Sequence, residues 1–260
     1  MYTETDWDDE VDVVCTGAGI AGLAVAISAI DEGADVIVAD RPVAAPQSCW
    51  WPVACTDDDT LAYLGELTAD LDTSQLRCQE EDLPLRLISA DNDRQSTTVP
   101  PFVGSRMRDW AAQCICSPSG FLYTRVTDWP TSTVVLGGGE TWEINEIGQF
   151  DPDGDDPVAA LHKWLTAEAA EREIERMPAS GLQQLVLDDG VIIGAVVATA
   201  SGSFSVRARH GVLICPQTQT SRESGRIPED AGLRVALVGK AGSRFGRVEL
   251  LRSATAAEKR

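Results

Sequence analysis

Residues 11–40 read VDVVCTGAGIAGLAVAISAIDEGADVIVAD, and this stretch decides the fold. Residues 11–16 predict a short buried strand, and residues 17–22 fit the pattern G-x-G-x-x-G directly after it. The alanine-rich segment 20–32 predicts a helix, and residues 34–40 predict a second strand that closes on an aspartate. Strand, glycine turn, helix and strand together make the βαβ unit that begins a dinucleotide-binding site.

Three glycines and one acid in this unit have separate physical roles. Gly17 permits the tight turn off the strand, Gly19 leaves room for a pyrophosphate beside the backbone, and Gly22 lets the helix pack closely on the sheet. The first amides of the helix and its positive dipole end face the phosphates. Asp40 follows Gly22 by 18 residues and can accept both hydroxyls of an adenosine ribose. The alternative is a tight turn in a Rossmann-like domain that binds no ligand.

The composition is that of a globular protein with an acidic surface. The chain has 260 residues, 43% of them hydrophobic, which suffices for one sizeable core or for two closely joined domains. A formal charge of −20 argues against nucleic acid or an anionic membrane as partner, since both bind through clustered Lys and Arg. No apolar run reaches the roughly 18 to 20 residues of a membrane span, and residues 1–10 are acidic, so we expect a cytoplasmic protein.

The cysteines indicate neither a disulfide framework nor a zinc site, because the seven of them lie at irregular spacings without a C-x-x-C pair. Cys114 and Cys116 form a C-x-C pair in a segment that we interpret as a strand, where both thiols share one face. Such a pair could be redox-active, but no further Cys or His cluster supplies metal ligands. Buried structural cysteines and no metal are therefore predicted.

The rest of the chain alternates helix and strand signals. Helices are predicted at 60–69, with Leu61, Leu64 and Leu67 on one side, around 106–113, and from 157 to about 172. Strands are predicted at 121–126, 132–136, 181–187, 191–198, 203–208, 211–215 and 232–238, with a hairpin turn at 188–190. Residues 151–157 predict a linker, and the chain after residue 238 is predicted to be a polar, frayed end.

Residues 182–196 read LQQLVLDDGVIIGAV, and together with the glycine motif they carry a family resemblance. The chain resembles the flavoproteins of the fumarate reductase, succinate dehydrogenase and 3-ketosteroid dehydrogenase superfamily. The resemblance implies an α/β fold, a Rossmann-like FAD-binding domain of the glutathione-reductase type with a small inserted α+β capping segment. It implies an FAD-binding domain at 1–48 and 155–240, the capping segment at 49–154 and a flexible tail at 241–260.

By this resemblance the cofactor is FAD, with NAD as the alternative. The residues that it implies for cofactor binding are Gly17, Ala18, Gly19, Ile20, Ala21, Gly22, Asp40, Arg41, Ser48 and Leu182, the last through its backbone beside the adenine ring. A flavin supplies the hydride chemistry, so the protein adds a substrate contact or a proton donor. The candidates for that catalytic role are Tyr123 and Arg106, whereas His162 and His210 are interpreted as structural.

Departures from the family pattern bear on activity. The ribose acid is Asp40 where the family has Glu, and the shorter side chain leaves NAD open. Residues 44–48 stand where the family has Gly-Gly-Ser-Thr, and residues 214–217 stand where it has Ala-Thr-Gly-Gly. Because those family segments grip the pyrophosphate and the flavin, we expect weak and exchangeable cofactor binding in this chain.

Two functions of different classes follow. The first is an FAD-dependent oxidoreductase that acts on a CH–CH group next to a carbonyl, of the ketosteroid or dicarboxylate type. The second is a catalytically degenerate flavin-fold protein that serves as a regulatory or partner subunit, or an NAD-binding protein. The expected partners are a small-molecule substrate and, for the second function, a protein partner or another copy of the chain. Neither nucleic acid nor a membrane span is expected.

Overall fold

The structure is a computed structural model, and it describes residues 6–40, 55–69, 71, 85–88, 104–125, 132–136, 140–152, 156–215 and 232–253. The helices in these ranges are α1 (Ile20–Asp31), α2 (Asp58–Leu67), α3 (Gly104–Cys116) and α4 (Pro157–Glu171). The strands are β1 (Asp9–Cys15), β2 (Val36–Asp40), β3 (Leu85–Ile88), β4 (Gly120–Tyr123), β5 (Ser132–Leu136), β6 (Glu140–Phe150), β7 (Glu175–Pro178), β8 (Gly181–Asp188), β9 (Val191–Thr199), β10 (Gly202–Ile214), β11 (Leu233–Gly239) and β12 (Phe245–Ser253).

These strands form one mixed sheet in the order β5-β6-β11-β12-β4-β10-β1-β2-β7. Its parallel half consists of β7, β2, β1 and β10, which all run in one direction. Its antiparallel half consists of β4, β12, β11, β6 and β5, with β3 parallel beside β12. The hairpin β8–β9 attaches to the first part of β10 as an antiparallel meander. The protein is thus a mixed α/β fold in which a single sheet connects both halves.

The predicted βαβ unit is present at its predicted position. Strand β1 and strand β2 flank helix α1 and pair in parallel, with Cys15 opposite Val38. Gly33 has a φ of +84° and ends the helix, as the sequence predicts. Helix α1 is more buried than an amphipathic surface helix, because every residue from Ile20 to Ala29 is buried. The reason is that α1 is packed between α4 and strands of both halves of the sheet.

Helix α4 confirms the prediction of a helix that begins at Pro157. The Asp156 carboxylate caps its first turn by accepting hydrogen bonds from two backbone amides. Leu161 and Leu165 are fully buried, and Trp164 packs on Phe150 with ring centroids 5.8 Å apart. The inward face predicted from the sequence is therefore the observed one.

The opposite face of the sheet is covered by α2 and α3, where two sequence predictions are wrong. Leu61 is 42% exposed, so only Leu64 of the predicted apolar face is fully buried. Cys114 and Cys116 lie at the end of helix α3 and not in a strand. Residues two apart on a helix do not share a face, so the two thiols are not arranged as a pair.

The predicted polar end of the chain is in fact a central strand. Strand β12 lies between β11 and β4, and its residues Val248, Leu250 and Leu251 have no exposed surface. The charged residues Arg247 and Glu249 interrupt its apolar pattern, so the sequence does not indicate a buried strand. In the structure the two side chains pair with each other at 2.8 Å. Their mutual neutralisation lets both be buried. The prediction of a flexible tail is therefore wrong for residues 245–253.

Other strands differ from the sequence predictions in extent. The segments predicted at 203–208 and 211–215 form the single strand β10, and β6 was not predicted. Strands β4 to β6 come from the predicted capping segment, 49–154, yet they pair within the common sheet. The domain boundaries themselves stay predictions. Among the described residues, no helix is both long and apolar enough to cross a membrane.

Candidate dinucleotide-binding site

The candidate site begins where strand β1 passes into helix α1. Gly19 is the N-cap residue, with extended backbone angles and no side-chain hydrogen bond to the first helical turn. Glycine has no side chain that could cap the helix, so Gly19 leaves the first amides of α1 without a side-chain acceptor. These amides also carry the positive end of the helix dipole. Gly17 and Gly19 are buried, and Ala18 between them is 2% exposed. The backbone has the form that a phosphate-binding loop requires, but protein atoms cover it.

Gly22 has the packing role predicted for the third glycine of the motif. A Cβ atom at this position would lie 1.8 Å from the carbonyl oxygen of Gly17 and 3.1 Å from Sγ of Cys215. Real Cβ atoms do not approach backbone that closely, so any side chain would push the helix off the loop. A glycine at this position therefore allows the first turn of α1 to pack directly against the loop that follows β1.

Asp40 lies beside the glycine loop at the same end of the sheet. Gly17 and Asp40 each follow the paired residues Cys15 and Val38 by two positions, on strands that are neighbours. The Asp40 carboxylate accepts a hydrogen bond from Arg176 of β7, with Oδ2 and Nη2 2.5 Å apart. Oδ1 of Asp40 accepts no hydrogen bond from the part of the chain that the structure describes.

Arg176 is a site residue that sequence reasoning missed. Its strand β7 pairs in parallel with β2, so that Asp40 lies opposite Pro178. The short and exposed segment 175–178 has no apolar run that would indicate a strand. Its one signal was its place directly after α4, and nothing local identifies β2 as its partner strand.

Two further side chains hold the glycine loop from behind. Nε2 of His162, on α4, lies 2.9 Å from the carbonyl oxygen of Ala18. A carbonyl only accepts, so this ring nitrogen carries the proton and donates. The Sγ atom of Cys215 lies 3.5 Å from the carbonyl oxygen of Gly17, where its thiol donates. The prediction of a structural role for His162 stays open, but its contact with the loop is a feature that only the tertiary structure shows.

The two thiols near the loop, those of Cys15 and Cys215, are unreactive. Burial raises the pKa of Cys215 to about 12, and it raises the pKa of Cys15 as well. Both groups therefore remain protonated at neutral pH, and a thiol without its thiolate is neither a nucleophile nor a good metal ligand.

The remaining predicted residues are not all brought to this site. Leu182 is buried on β8 in the same apolar cluster as Leu64 and Trp110. Arg41 and Ser48 lie outside the described residues, as does the side chain of Arg106 in helix α3. Whether any of these residues contacts a nucleotide stays a prediction.

Tyr123 lies on β4, which β10 separates from β1 in the sheet, and it lines a second concave region of the molecule. Its ring lies close to Gly211, where a Cβ would meet Cζ at 3.0 Å, and Gly211 has a φ of +143°. Burial raises the pKa of the Tyr123 hydroxyl, which is therefore protonated at neutral pH. The ring lines a cavity of about 70 Å³ beside Val25 of α1. A catalytic role for Tyr123 stays a prediction.

Known proteins resemble this chain in structure and not in sequence. No family model matches the chain, and no curated protein matches its sequence. Among solved structures, the 3-ketosteroid-Δ4-(5α)-dehydrogenase from Rhodococcus jostii RHA1 is 19% identical, with a TM-score of 0.35 over 81% of this chain and 46% of that one. A flavocytochrome c3 fumarate reductase is 17% identical, with a TM-score of 0.33 over 78% of this chain and 33% of that one.

A third solved structure is the ternary complex of aklavinone-11 hydroxylase with FAD and aklavinone. It is 19% identical, with a TM-score of 0.28 over 79% of this chain and 32% of that one. This chain therefore spans less than half the length of each of the three proteins. Likenesses at TM-scores below 0.5 decide neither the activity nor the cofactor of this chain.

Proposed function

We propose that this chain is a Rossmann-like FAD-binding protein of the oxidoreductase type, whose glycine loop holds the pyrophosphate of the cofactor. The observation that carries the proposal is the joint geometry of Gly22 and Asp40. Gly22 has no room for a side chain against Gly17, which fixes the helix N-terminus at the loop. Asp40 lies on the adjacent strand, at the place where such sites bind the ribose.

Each residue has a physical task in this proposal. The first amides of α1 donate to the phosphates, and the helix dipole favours their negative charge. The oxygen of Asp40 that Arg176 leaves open, Oδ1, accepts from a ribose hydroxyl, while Arg176 holds the carboxylate in place. His162 keeps the Ala18 carbonyl turned toward α4 and away from the phosphates. A bound flavin would supply hydride transfer, for which the substrate proposed is a compound with a CH–CH group next to a carbonyl.

The test is a titration of the purified full chain with FAD, in which the quenching of flavin fluorescence measures binding. Gly19→Val should lower the affinity at least about 100-fold, because a branched side chain occupies the place of the pyrophosphate. Asp40→Ala should cost about 1.5 to 3 kcal/mol of affinity, the range for a hydrogen bond to a charged group. Parallel titrations with NAD distinguish the two dinucleotides. The alternative of an NAD-binding protein holds if NAD binds more tightly than FAD.

The matched control is Gly65→Val in helix α2, where a side chain meets nothing within 4 Å. This variant should bind FAD as the wild type does. Circular dichroism of all three variants verifies that they fold. Absence of saturable FAD and NAD binding to the folded wild type contradicts the proposal.

A second function, a binding or regulatory subunit without turnover, is favoured by the burial of the glycine loop. Gly17, Ala18 and Gly19 are all buried, which limits the access of a nucleotide to the loop. Anaerobic dye reduction with added FAD, across 3-ketosteroids, fumarate and succinate, tests for turnover. The second function predicts little or none from the chain alone. Rates near about one per second, as ordinary enzymes show, would rule it out.

A further inference from the structure

A second ligand site is indicated by the cavity that Tyr123 lines. This cavity lies on the α1 face of the sheet and is bounded by β4, β6, β10, β11 and the turn before β12. It contacts Val25, which follows Gly19 by six residues and therefore lies about 9 Å further along the helix. The cavity is thus separate from the glycine loop and would not share a ligand's phosphates with it.

One wall of the cavity presents a guanidinium with an open donor. Arg125 donates from Nη1 to the carbonyl of Arg209 at 2.9 Å and from Nη2 to the carbonyl of Ile192 at 3.4 Å. Its Nε is buried and has no hydrogen-bond partner among the described residues. A buried N–H without an acceptor costs free energy, so an acceptor inside the cavity would be stabilising.

A second guanidinium group, that of Arg244, lines the same cavity and is fixed by a hydrogen bond. Arg244 donates from Nη1 to the hydroxyl of Tyr63 at 2.9 Å, and that hydroxyl donates in turn to the carbonyl of Thr124 at 3.2 Å. The side chain is therefore positioned before any ligand arrives, which lowers the entropic cost of binding. Guanidinium groups match the geometry of carboxylates and other oxyanions.

The charge of the lining residues limits the ligand to a single negative charge. The lining residues include two arginines, Arg125 and Arg244, and one glutamate, Glu143, so their formal charges sum to one net positive charge. A doubly charged phosphate would be repelled by Glu143 and left partly uncompensated. A carboxylate with one charge is compensated.

The other walls are apolar and the space is small. Four apolar residues also line the cavity: Val25, Phe121, Leu213 and Leu237. The volume of about 70 Å³ corresponds to about five water-sized positions, at roughly 10 to 15 Å³ each. The geometry points to a site for a short-chain monocarboxylate of about five or six non-hydrogen atoms, with its carboxylate on Arg125 and Arg244 and its tail on the apolar wall.

The experiment is calorimetric titration of the full chain with butyrate, without FAD, so that the result is independent of the nucleotide site. Butyrate should bind saturably at one site per chain, and inorganic phosphate and n-butanol, which lack either the tail or the charge, should bind at least about tenfold more weakly. Arg244→Gln should weaken butyrate binding at least about tenfold. Arg234→Gln removes an arginine that pairs with Glu146 outside the cavity and should leave binding unchanged.

A size test keeps the proposal falsifiable if an arginine variant fails to fold. Leu237→Ala enlarges the apolar wall and should shift the preference from butyrate toward hexanoate, with both arginines intact. Absence of saturable butyrate binding to the wild type overturns the proposal. It is also overturned if n-butanol or phosphate binds as tightly as butyrate, or if Arg244→Gln folds and binds butyrate as the wild type does.

Discussion

The two halves of the sheet are built by different kinds of contact. In the parallel half, β1, α1 and β2 follow one another within residues 9–40, so their pairing closes over a short length of chain. In the antiparallel half, β4 pairs with β12 through Leu122 and Phe245, and β11 pairs with β6. Local residue types specify the β1–α1–β2 unit of the first half, whereas the pairings of β4 with β12 and of β11 with β6 join segments that meet only when the whole chain folds.

The halves also differ in how they treat charge. The buried parts of β1 and β2 are continuous apolar runs, typical of strands covered on both faces. Strand β12 buries an arginine and a glutamate side by side, and Trp110 packs over that arginine, Arg247, with its ring centroid 5.1 Å from Cζ. Hydrophobic pattern therefore identifies β1 and β2 of the parallel half and overlooks the central strand of the antiparallel half.

The largest expected effect tests whether β12 belongs to the core. Leu250→Asp places a carboxylate at a position with no exposed surface, between β11 and β3. It should lower the free energy of unfolding by more than about 4 kcal/mol, since no partner compensates the buried charge. Urea denaturation followed by circular dichroism measures the change.

The control for this variant is Leu61→Asp, on the exposed side of α2. It should cost less than about 1 kcal/mol, mainly through helix propensity. If both variants unfold at the same urea concentration, β12 is not a core strand, and the contrast between the halves disappears.

A somewhat smaller effect tests the close approach in the parallel half. Gly22→Ala adds a Cβ 1.8 Å from the Gly17 carbonyl oxygen and should cost about 3 kcal/mol of unfolding free energy. Gly65→Ala, in an exposed helix position with open space around it, should instead stabilise by up to about 1 kcal/mol. Thermal and urea unfolding of the two alanine variants measure both. Equal stability of the two variants would show that the glycine loop is looser than the structure has it.

A third prediction compares two helix ends in the parallel half. Gly33 ends α1 and Glu173 ends α4, and both lie in the left-handed region, with φ of +84° and +54°. At each end, the amide of this residue and the amide of the next residue donate to carbonyls three and five residues earlier in the chain. A glutamate is strained there, so Glu173→Gly should stabilise by about 0.5 kcal/mol after the entropy of glycine is subtracted.

The reciprocal change, Gly33→Glu, should cost about 1 kcal/mol. Urea titration measures the unfolding free energy of each variant relative to the wild type. If Glu173→Gly destabilises the protein, the glutamate makes a contribution other than its backbone conformation, and the two helix ends are not equivalent.

The smallest effect concerns an ion pair between β1 and β10. Arg209 donates to Asp12 at 2.7 Å, and this hydrogen bond lowers the pKa of Asp12 below its ordinary value of 3.8. A lowered pKa in the folded state contributes stability above the ordinary pKa, and that contribution is lost as the pH falls through the folded value. Arg209→Gln should therefore cost less than about 1 kcal/mol at pH 7.

The pH dependence distinguishes this pair from a packing effect. The difference in unfolding free energy between wild type and Arg209→Gln should shrink as the pH falls from about 5 to below the lowered pKa of Asp12. Urea titrations at a series of pH values measure it. A difference that stays constant over this range would mean that Arg209 stabilises the strands through contacts other than its charge.

The sequence by itself determined the elements whose signals are local. The strand–glycine–helix–strand unit, the capped start of α4 at Asp156 and the β8–β9 hairpin all lie where they were predicted. In the hairpin, Asp189 and Gly190 have φ of +48° and +77°, as a tight turn of this kind requires. In each case, backbone angles and hydrogen bonds within a short segment demand particular residue types.

Only the tertiary structure decided which distant groups meet. The ion pair of Asp40 with Arg176, the contact of His162 with Ala18 and the burial of β12 each join segments that no sequence spacing relates. Whether a charged residue is exposed, paired in the core or aimed into a cavity depends on the strand order. The free energy of burying a charge depends on the partner that the fold brings to it, and that partner lies elsewhere in the chain.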